Sequence, residues 1–323
     1  MKKIVLSLVL MIAAVAVSAQ QIAVVTSSGS TTMCQTLADA ISKAGNNSVI
    51  YLPAGGFQIS DDVKITHKIT IVGVTHKANS DNAEGNTIIS GNLYFNEGSS
   101  NSCVMGCYIS GTVYIGYDNT SVNNILVKYC NVNSVYVYSN KCSGTKINQN
   151  YIRNTCDFNG AEGTFTNNVM QACVQEMTGG AIMNNNIISR GSWTFYIVNN
   201  ATISNNVFFA SWDGAYGCNN ISGTNNMFRS GSWGDDAINL GLESMDGVFK
   251  KNLGCTPASE FEFIGDYATY NGKVGIYCTD DGGTGFSDGC MPPVPYISVK
   301  RIDEQTDASG NLNVTLRVKS VAE

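Results

Sequence analysis

The chain has 323 residues, 43% hydrophobic and only 14% charged, with 25 acidic against 19 basic side chains and a formal charge of −6. That balance argues against a surface built to track nucleic acid or an anionic membrane. It also disfavours a strongly anionic polysaccharide as ligand unless calcium bridges the two.

Residues 1–19 read as a secretory signal. Lys2 and Lys3 are its charged start, Ile4 to Val17 its apolar run, and Ser18-Ala19 the small residues before a cut at Gln20. No Cys follows for lipid attachment, and no later apolar stretch is long enough to span a membrane. The protein is therefore expected to be exported, to the periplasm, the cell surface or the medium, and to act as a monomer.

Thr36 to Ala44 has the pattern of a short amphipathic helix, with Leu37, Ala40, Ile41 and Ala44 on one face and Thr36 as N-cap. Gly45-Asn46 ends it, the strand Val49 to Leu52 follows, and Pro53-Ala-Gly-Gly56 turns the chain. Ile65 to Ile71 is a strand pair. Residues 74–86 lack apolar periodicity and are expected to form a surface loop, which puts His67 and His76 at a turn and in that loop.

From Thr87 to about Lys251 one phrase recurs: Ile147-Asn-Gln-Asn150-Tyr-Ile152, Phe165-Thr-Asn-Asn168-Val-Met170, Met183-Asn-Asn-Asn186-Ile-Ile188, Ile203-Ser-Asn-Asn206-Val-Phe208, and more weakly Gly223-Thr-Asn-Asn226-Met-Phe228. Val104 to Ile109 and Val127 to Val132 fit the same frame with Cys107 and Cys130 in the Asn slot. A strand-like repeat of about 18–23 residues means a solenoid. The two apolar positions of the phrase lie an odd number apart, so both face inward only if the chain bends at the Asn. Stacking then builds a column from Ile109 through Val132, Ile152, Met170, Ile188 and Phe208 to Phe228.

The stacked Asn at a tight turn resembles the right-handed parallel β-helix superfamily with the pectin-lyase-like fold. The resemblance covers about residues 35–250. It implies an all-β solenoid with an N-terminal helical cap, and it is compatible with lyases, hydrolases and non-enzymatic surface proteins.

Three tryptophans fall in nearly one slot of successive coils: Trp193, Trp212 and Trp233. The same slot holds Gln175-Glu176 and Asp157 in earlier coils, and Arg190 precedes Trp193 by three residues. Aromatic faces stack on the apolar faces of sugars and carboxylates accept hydroxyl hydrogen bonds, so Trp193, Trp212, Trp233, Glu176 and Arg190 are candidates for a glycan surface. A structural aromatic stack is the alternative. Asp213-Gly214 and Gly234-Asp235-Asp236 also resemble polygalacturonase-type hydrolase motifs, which would make Asp213, Asp235 and Asp236 an inverting carboxylate group. That family's His-Gly and Arg-Ile-Lys motifs have no counterpart here. A calcium-dependent lyase is a further alternative. Arg153, Arg190 and Arg229 follow the Asn corners and are expected to be solvated.

Residues 252–295 break the repeat and read as an irregular cap and loop. Asp280, Asp281 and Asp288 offer carboxylates, without the spacing of known calcium loops; calcium stays a candidate and no other cofactor or metal is implied. The eleven Cys are odd in number, so at least one is unpaired within the chain. Cys278 and Cys290 flank a Gly-rich loop and suit a disulfide; Cys107 and Cys130 suit small interior hydrophobes. After Pro292-Pro-Val-Pro295, residues 296–323 alternate as a terminal β-hairpin, a tail that resembles those of exported Bacteroidetes-type β-helix proteins. The leading expectation is a non-catalytic, glycan-interacting exported solenoid; a polysaccharide hydrolase or lyase and a purely adhesive solenoid are the alternatives.

Overall fold

The computed structural model describes residues 21–77, 85–189, 195–211, 215–279, 285–286, 296–302 and 314–319. The chain winds as a parallel β-solenoid of about eight turns. Each complete coil has three short strands. In one coil these are Thr145–Asn148 on the first face, Tyr151–Ile152 on the second and Cys156–Asp157 on the third. The first face continues as Gly163–Thr166, Ile182–Asn184, Asn199–Ser204 and Asn219–Thr224, all parallel and in register.

The corner between first and second faces is where the recurring phrase acts. The residue before each repeat Asn, rather than the Asn itself, carries the left-handed bend: Gln149, Asn167, Asn185, Asn205 and Asn225 have φ between 54° and 60°. Asn150, Asn168, Asn186, Asn206 and Asn226 are fully buried behind that bend. Each Oδ1 from Asn168 onward accepts both the backbone N–H and the Nδ2 of the Asn one coil earlier, at 2.8–3.2 Å. Asn150 Oδ1 accepts from Cys130 N at 2.9 Å. Cys130 and Cys107 continue the column, their thiols donating to the carbonyls of Lys128 and Met105 at 3.3 and 3.4 Å. Burial pushes the Cys130 thiol up to about 12, so both act as interior hydrophobes rather than nucleophiles. The apolar column from Ile109 to Phe228 lies inside, as the phrase requires.

The N-terminal end is closed by the helix Leu37–Lys43, capped by Thr36 Oγ1 accepting from Asp39 N at 3.1 Å. Its buried Leu37, Ala40 and Ile41 cover the first coil. The strand Ile22–Val25 pairs antiparallel with Thr31–Cys34 and with Ser48–Tyr51. At the other end the winding stops early: Asp235 bridges Thr224 and Ile238 pairs with Met227, a step of eleven residues in place of twenty. A terminal hairpin pairs Tyr296–Ile302 with Val314–Lys319.

The stretch after the last coil does not extend the solenoid axis. It folds back along the second face. The outward residues there, Tyr151, Val169, Ile187, Val207 and Met227, are buried beneath Val248, Phe249, Phe261, Val274, Ile276 and Phe286. Polar clasps fix the overlap: Asn167 Nδ2 donates to Ile276 O at 3.0 Å, Gln171 Nε2 to Gly254 O at 3.1 Å and Gly275 N to Asn205 O at 2.7 Å.

Two expectations are corrected. Residues 74–77 are not a free surface loop, because Thr75 is fully buried and His76 is 4% exposed, its ring edge-on to Tyr151 at 5.5 Å. Arg153 and Arg229 are half-buried and hydrogen-bonded to the protein rather than freely solvated. Arg153 donates across two coils to Asn131, Ile109 O and Ser110 O and lies over the Tyr108 ring. Arg229 donates to Glu243 O and Ser211 Oγ.

Candidate functional site

The third face of the coils carries a single register ladder. Its pairs are Lys64↔Tyr94, Tyr94↔Tyr114, Tyr114↔Tyr136, Tyr136↔Asp157, Asp157↔Gln175, Gln175↔Tyr196 and Tyr196↔Tyr216. The flanking residues Val113, Ile115, Val135, Val137, Cys156, Val174 and Phe195 are buried, so strand alternation turns the ladder outward. Tyr94 is 6% exposed and Tyr216 53%, with the rungs between them partly buried. From Tyr114 to Tyr216 the rungs span about 24 Å at strand spacing.

The rings are organised against each other. Tyr94 and Tyr114 stack at 4.9 Å, Tyr114 and Tyr136 lie 6.0 Å apart, and Tyr117 and Tyr138 form a second pair at 5.0 Å beside them. Beyond the acidic centre, Tyr196 and Tyr216 stack at 5.4 Å and 5°. The Lys64 ammonium caps the N-terminal end, 3.4 Å from the Tyr94 centroid, and donates to Asp61 O at 2.6 Å.

Between the two aromatic groups sit Asp157, Gln175 and Glu176, all partly buried. Asp157 Oδ1 accepts from Asn159 N at 2.8 Å and Oδ2 from Gln175 Nε2 at 3.0 Å. Glu176 takes a left-handed conformation (φ 55°) at the end of its strand, held by its N–H to Tyr196 O and its carbonyl to Gly160 N. Burial first, and the neighbouring Asp157 second, raise the Glu176 carboxyl above its ordinary value. Burial, then Asp157, Tyr114 and Glu176, raise the Tyr136 phenol. The centre thus holds one carboxylate fixed by hydrogen bonds, a second with a stronger hold on its proton, and a phenol on the adjoining rung.

Of the residues singled out by sequence, Glu176 lies in this centre. Trp193, Trp212, Arg190 and Asp213 lie outside the described residues, as do Cys290, Asp280, Asp281 and Asp288. Trp233 is partly buried at the end of the solenoid. Its ring meets Phe195 edge-on at 5.1 Å, and a Cβ on Gly223 would come within 2.3 Å of it. Asp235 and Asp236 are exposed at the truncated last corner, where Asp236 (φ 52°) takes the place Asn225 holds one coil earlier. They are on a different edge of the coil from Asp157 and Glu176. Among the described residues no group of three or more His, Cys, Asp and Glu side chains is placed to hold a metal ion. A separate cleft of about 590 Å³ at the margin of the folded-back segment is lined by Lys77, Lys250, Glu260, Glu262 and Tyr277, with Lys250 paired to Glu260 at 3.0 Å.

Sequence reasoning missed the tyrosines because they belong to no motif. The signal was present in the sequence as aromatics at outward positions of strands, Tyr114, Tyr136, Tyr196 and Tyr216, but only the pairing register lines them up.

A parallel β-solenoid of about eight turns with a buried Asn column belongs to the class of pectin-lyase-like β-helix proteins. The family described as "Rhamnogalacturonase A/epimerase, pectate lyase-like" matches residues 25–240. The chain belongs to that family, and membership points to a glycan-related function. No curated protein and no solved structure matches the chain.

Proposed function

We propose that the protein is an exported, non-catalytic glycan-binding solenoid whose contact surface is the tyrosine ladder. The observation that supports this most is the unbroken register from Tyr94 to Tyr216, with aromatic rungs on both sides of a carboxylate pair. Phenol rings at strand spacing present flat apolar faces to the C–H faces of successive pyranoses. Asp157, Gln175 and Glu176 supply acceptors for ring hydroxyls between them. The ladder is long and open, which suits a polymer laid along the solenoid better than a small molecule held in a pocket.

The test is co-sedimentation or affinity electrophoresis of residues 20–323 on a panel of polysaccharides. The variant pair Tyr114→Ala and Tyr196→Ala, one from each aromatic group, is expected to lower affinity at least tenfold together. Trp233→Ala is expected to alter stability rather than binding. Retained binding in the double tyrosine variant would refute the ladder.

A second reading is hydrolysis. It is favoured by the contrast between Asp157, held by two hydrogen bonds, and Glu176, whose proton is held more firmly; such a pair divides naturally into base and acid. New reducing ends that disappear in Glu176→Gln would establish it. Loss in Asp235→Asn or Asp236→Asn instead would move the chemistry to the last corner.

A further inference from the structure

We propose that the ladder selects an extended neutral glycan and discriminates against polyuronates. The inference rests on the ladder being the glycan surface and adds the charge class of the ligand.

Among the described residues, the charged side chains on the middle rungs are Asp157 and Glu176, both acidic. Asp157 and Glu176 sit side by side, both partly buried, and the ion pairs among the described residues, Lys43–Asp39 and Lys250 with Glu260 and Glu262, involve neither of them. Two donors already go to Asp157, Gln175 Nε2 and Asn159 N. The one cation in the ladder, Lys64, lies four rungs from Asp157, about 19 Å at strand spacing and beyond a Debye length at physiological salt. It is also committed to the Tyr94 face and to Asp61 O. Arg153, in the neighbouring bend, spends its guanidinium on Asn131 and on the carbonyls of Ile109 and Ser110.

A polyuronate laid on these rungs brings a carboxylate with every sugar, so at least one comes within a few ångströms of Asp157 or Glu176. No described basic side chain there compensates it. Glu176 and Tyr136 are both pushed upward, first by burial and then by Asp157, in the same sense as the geometric argument. A neutral chain meets no such penalty, because its hydroxyls donate to the two carboxylates while its C–H faces cover the rings. Like-charge contact at this range in a partly solvated groove corresponds to about a tenfold difference in affinity.

Homogalacturonan oligomers test this directly, since methyl esterification removes the charge and leaves the backbone unchanged. Calorimetry at pH 7 and physiological salt, without calcium, is expected to show the fully esterified oligomer and a neutral β-1,4-xylan oligomer binding at least about tenfold tighter than the de-esterified one. In the double variant Asp157→Asn, Glu176→Gln, whose folding is verified by circular dichroism, the gap between the two homogalacturonans should close. Equal or tighter binding of the de-esterified oligomer to the native protein overturns the selectivity. The ladder itself survives that result if Tyr114→Ala with Tyr196→Ala abolishes binding. Binding that ignores both tyrosines, or no binding to any of the three oligomers, overturns the ladder reading and the selectivity with it.

Discussion

The buried asparagines show how one amide can serve three coils. Asn186 Oδ1 accepts from Asn168 N at 2.8 Å and Asn168 Nδ2 at 3.2 Å, while its Nδ2 donates to Phe165 O, Asn184 O and Asn206 Oδ1 at 2.9 Å each. Replacing it with Ala leaves a buried N–H and at least one carbonyl without a partner, at a cost of about 2–4 kcal/mol. Asn186→Ala should lower the urea midpoint strongly, whereas the same change at exposed Asn140, whose backbone lies outside the left-handed region, should leave stability within about 0.5 kcal/mol. His76 makes the opposite case. Its two ring nitrogens are buried without a hydrogen-bond partner, and burial, reinforced by Lys77, lowers its pKa to about 3. Below pH 6.5 the unfolded chain binds a proton there that the folded chain refuses. Stability from this residue is therefore complete above about pH 6.5 and is lost progressively as the pH falls towards about 3, by up to roughly 5 kcal/mol. His76→Phe should keep the edge contact with Tyr151 and flatten that acid limb in denaturation curves taken from pH 7 to 4. An unchanged acid limb would show that other groups govern it.

At the scale of elements, the segment folded back along the second face is the feature that changes the reading most. The residue after each repeat Asn points outward, yet Tyr151, Val169, Ile187, Val207 and Met227 are all apolar or aromatic. An outward column of that kind, five coils long, needs a cover. The cover comes from residues 241–279 and 285–286, whose buried apolar side chains share one cluster with that column. Ile187→Asp puts a charge beneath Phe249, Phe261 and Ile276 without touching the solenoid interior. It should raise amide exchange and protease cleavage across 245–279 while the first-face strands keep their protection. Uniform loss of protection along the chain would mean that cover and solenoid unfold as one unit. The tyrosine ladder sits on the third face, away from this cover, so the same substitution should leave glycan binding intact.

Over the whole molecule, what could be read in advance depended on range. The recurring phrase located the corners, the interior column and the family, because a repeat whose polar and apolar positions must all be satisfied admits few windings. The N-terminal helix was legible for the same local reason: Thr36, Leu37, Ala40 and Ile41 each have one sensible place. The Cys column was legible too, since Cys107 and Cys130 keep the Asn slot. The arginines were not. Arg153 looks like a turn residue until the neighbouring coils bring Asn131 and the carbonyls of Ile109 and Ser110 around it. Trp233, read from its slot as one rung of an outer stripe, turns inward because the last coil is cut short and its open end needs filling.

The sequence by itself determined the coil: its period, its bend, its buried amide and its apolar wall, all set by side-chain alternation and local backbone preference within some twenty residues. The tertiary structure alone decided which outward residues share a surface. Coil lengths differ from turn to turn, so Tyr94, Tyr114, Tyr136, Asp157, Gln175, Tyr196 and Tyr216 are not evenly spaced along the chain. Only the hydrogen-bond register between coils aligns them. The same register separates the outward apolar column of the second face, covered by residues 241–279 and 285–286, from the row on the third.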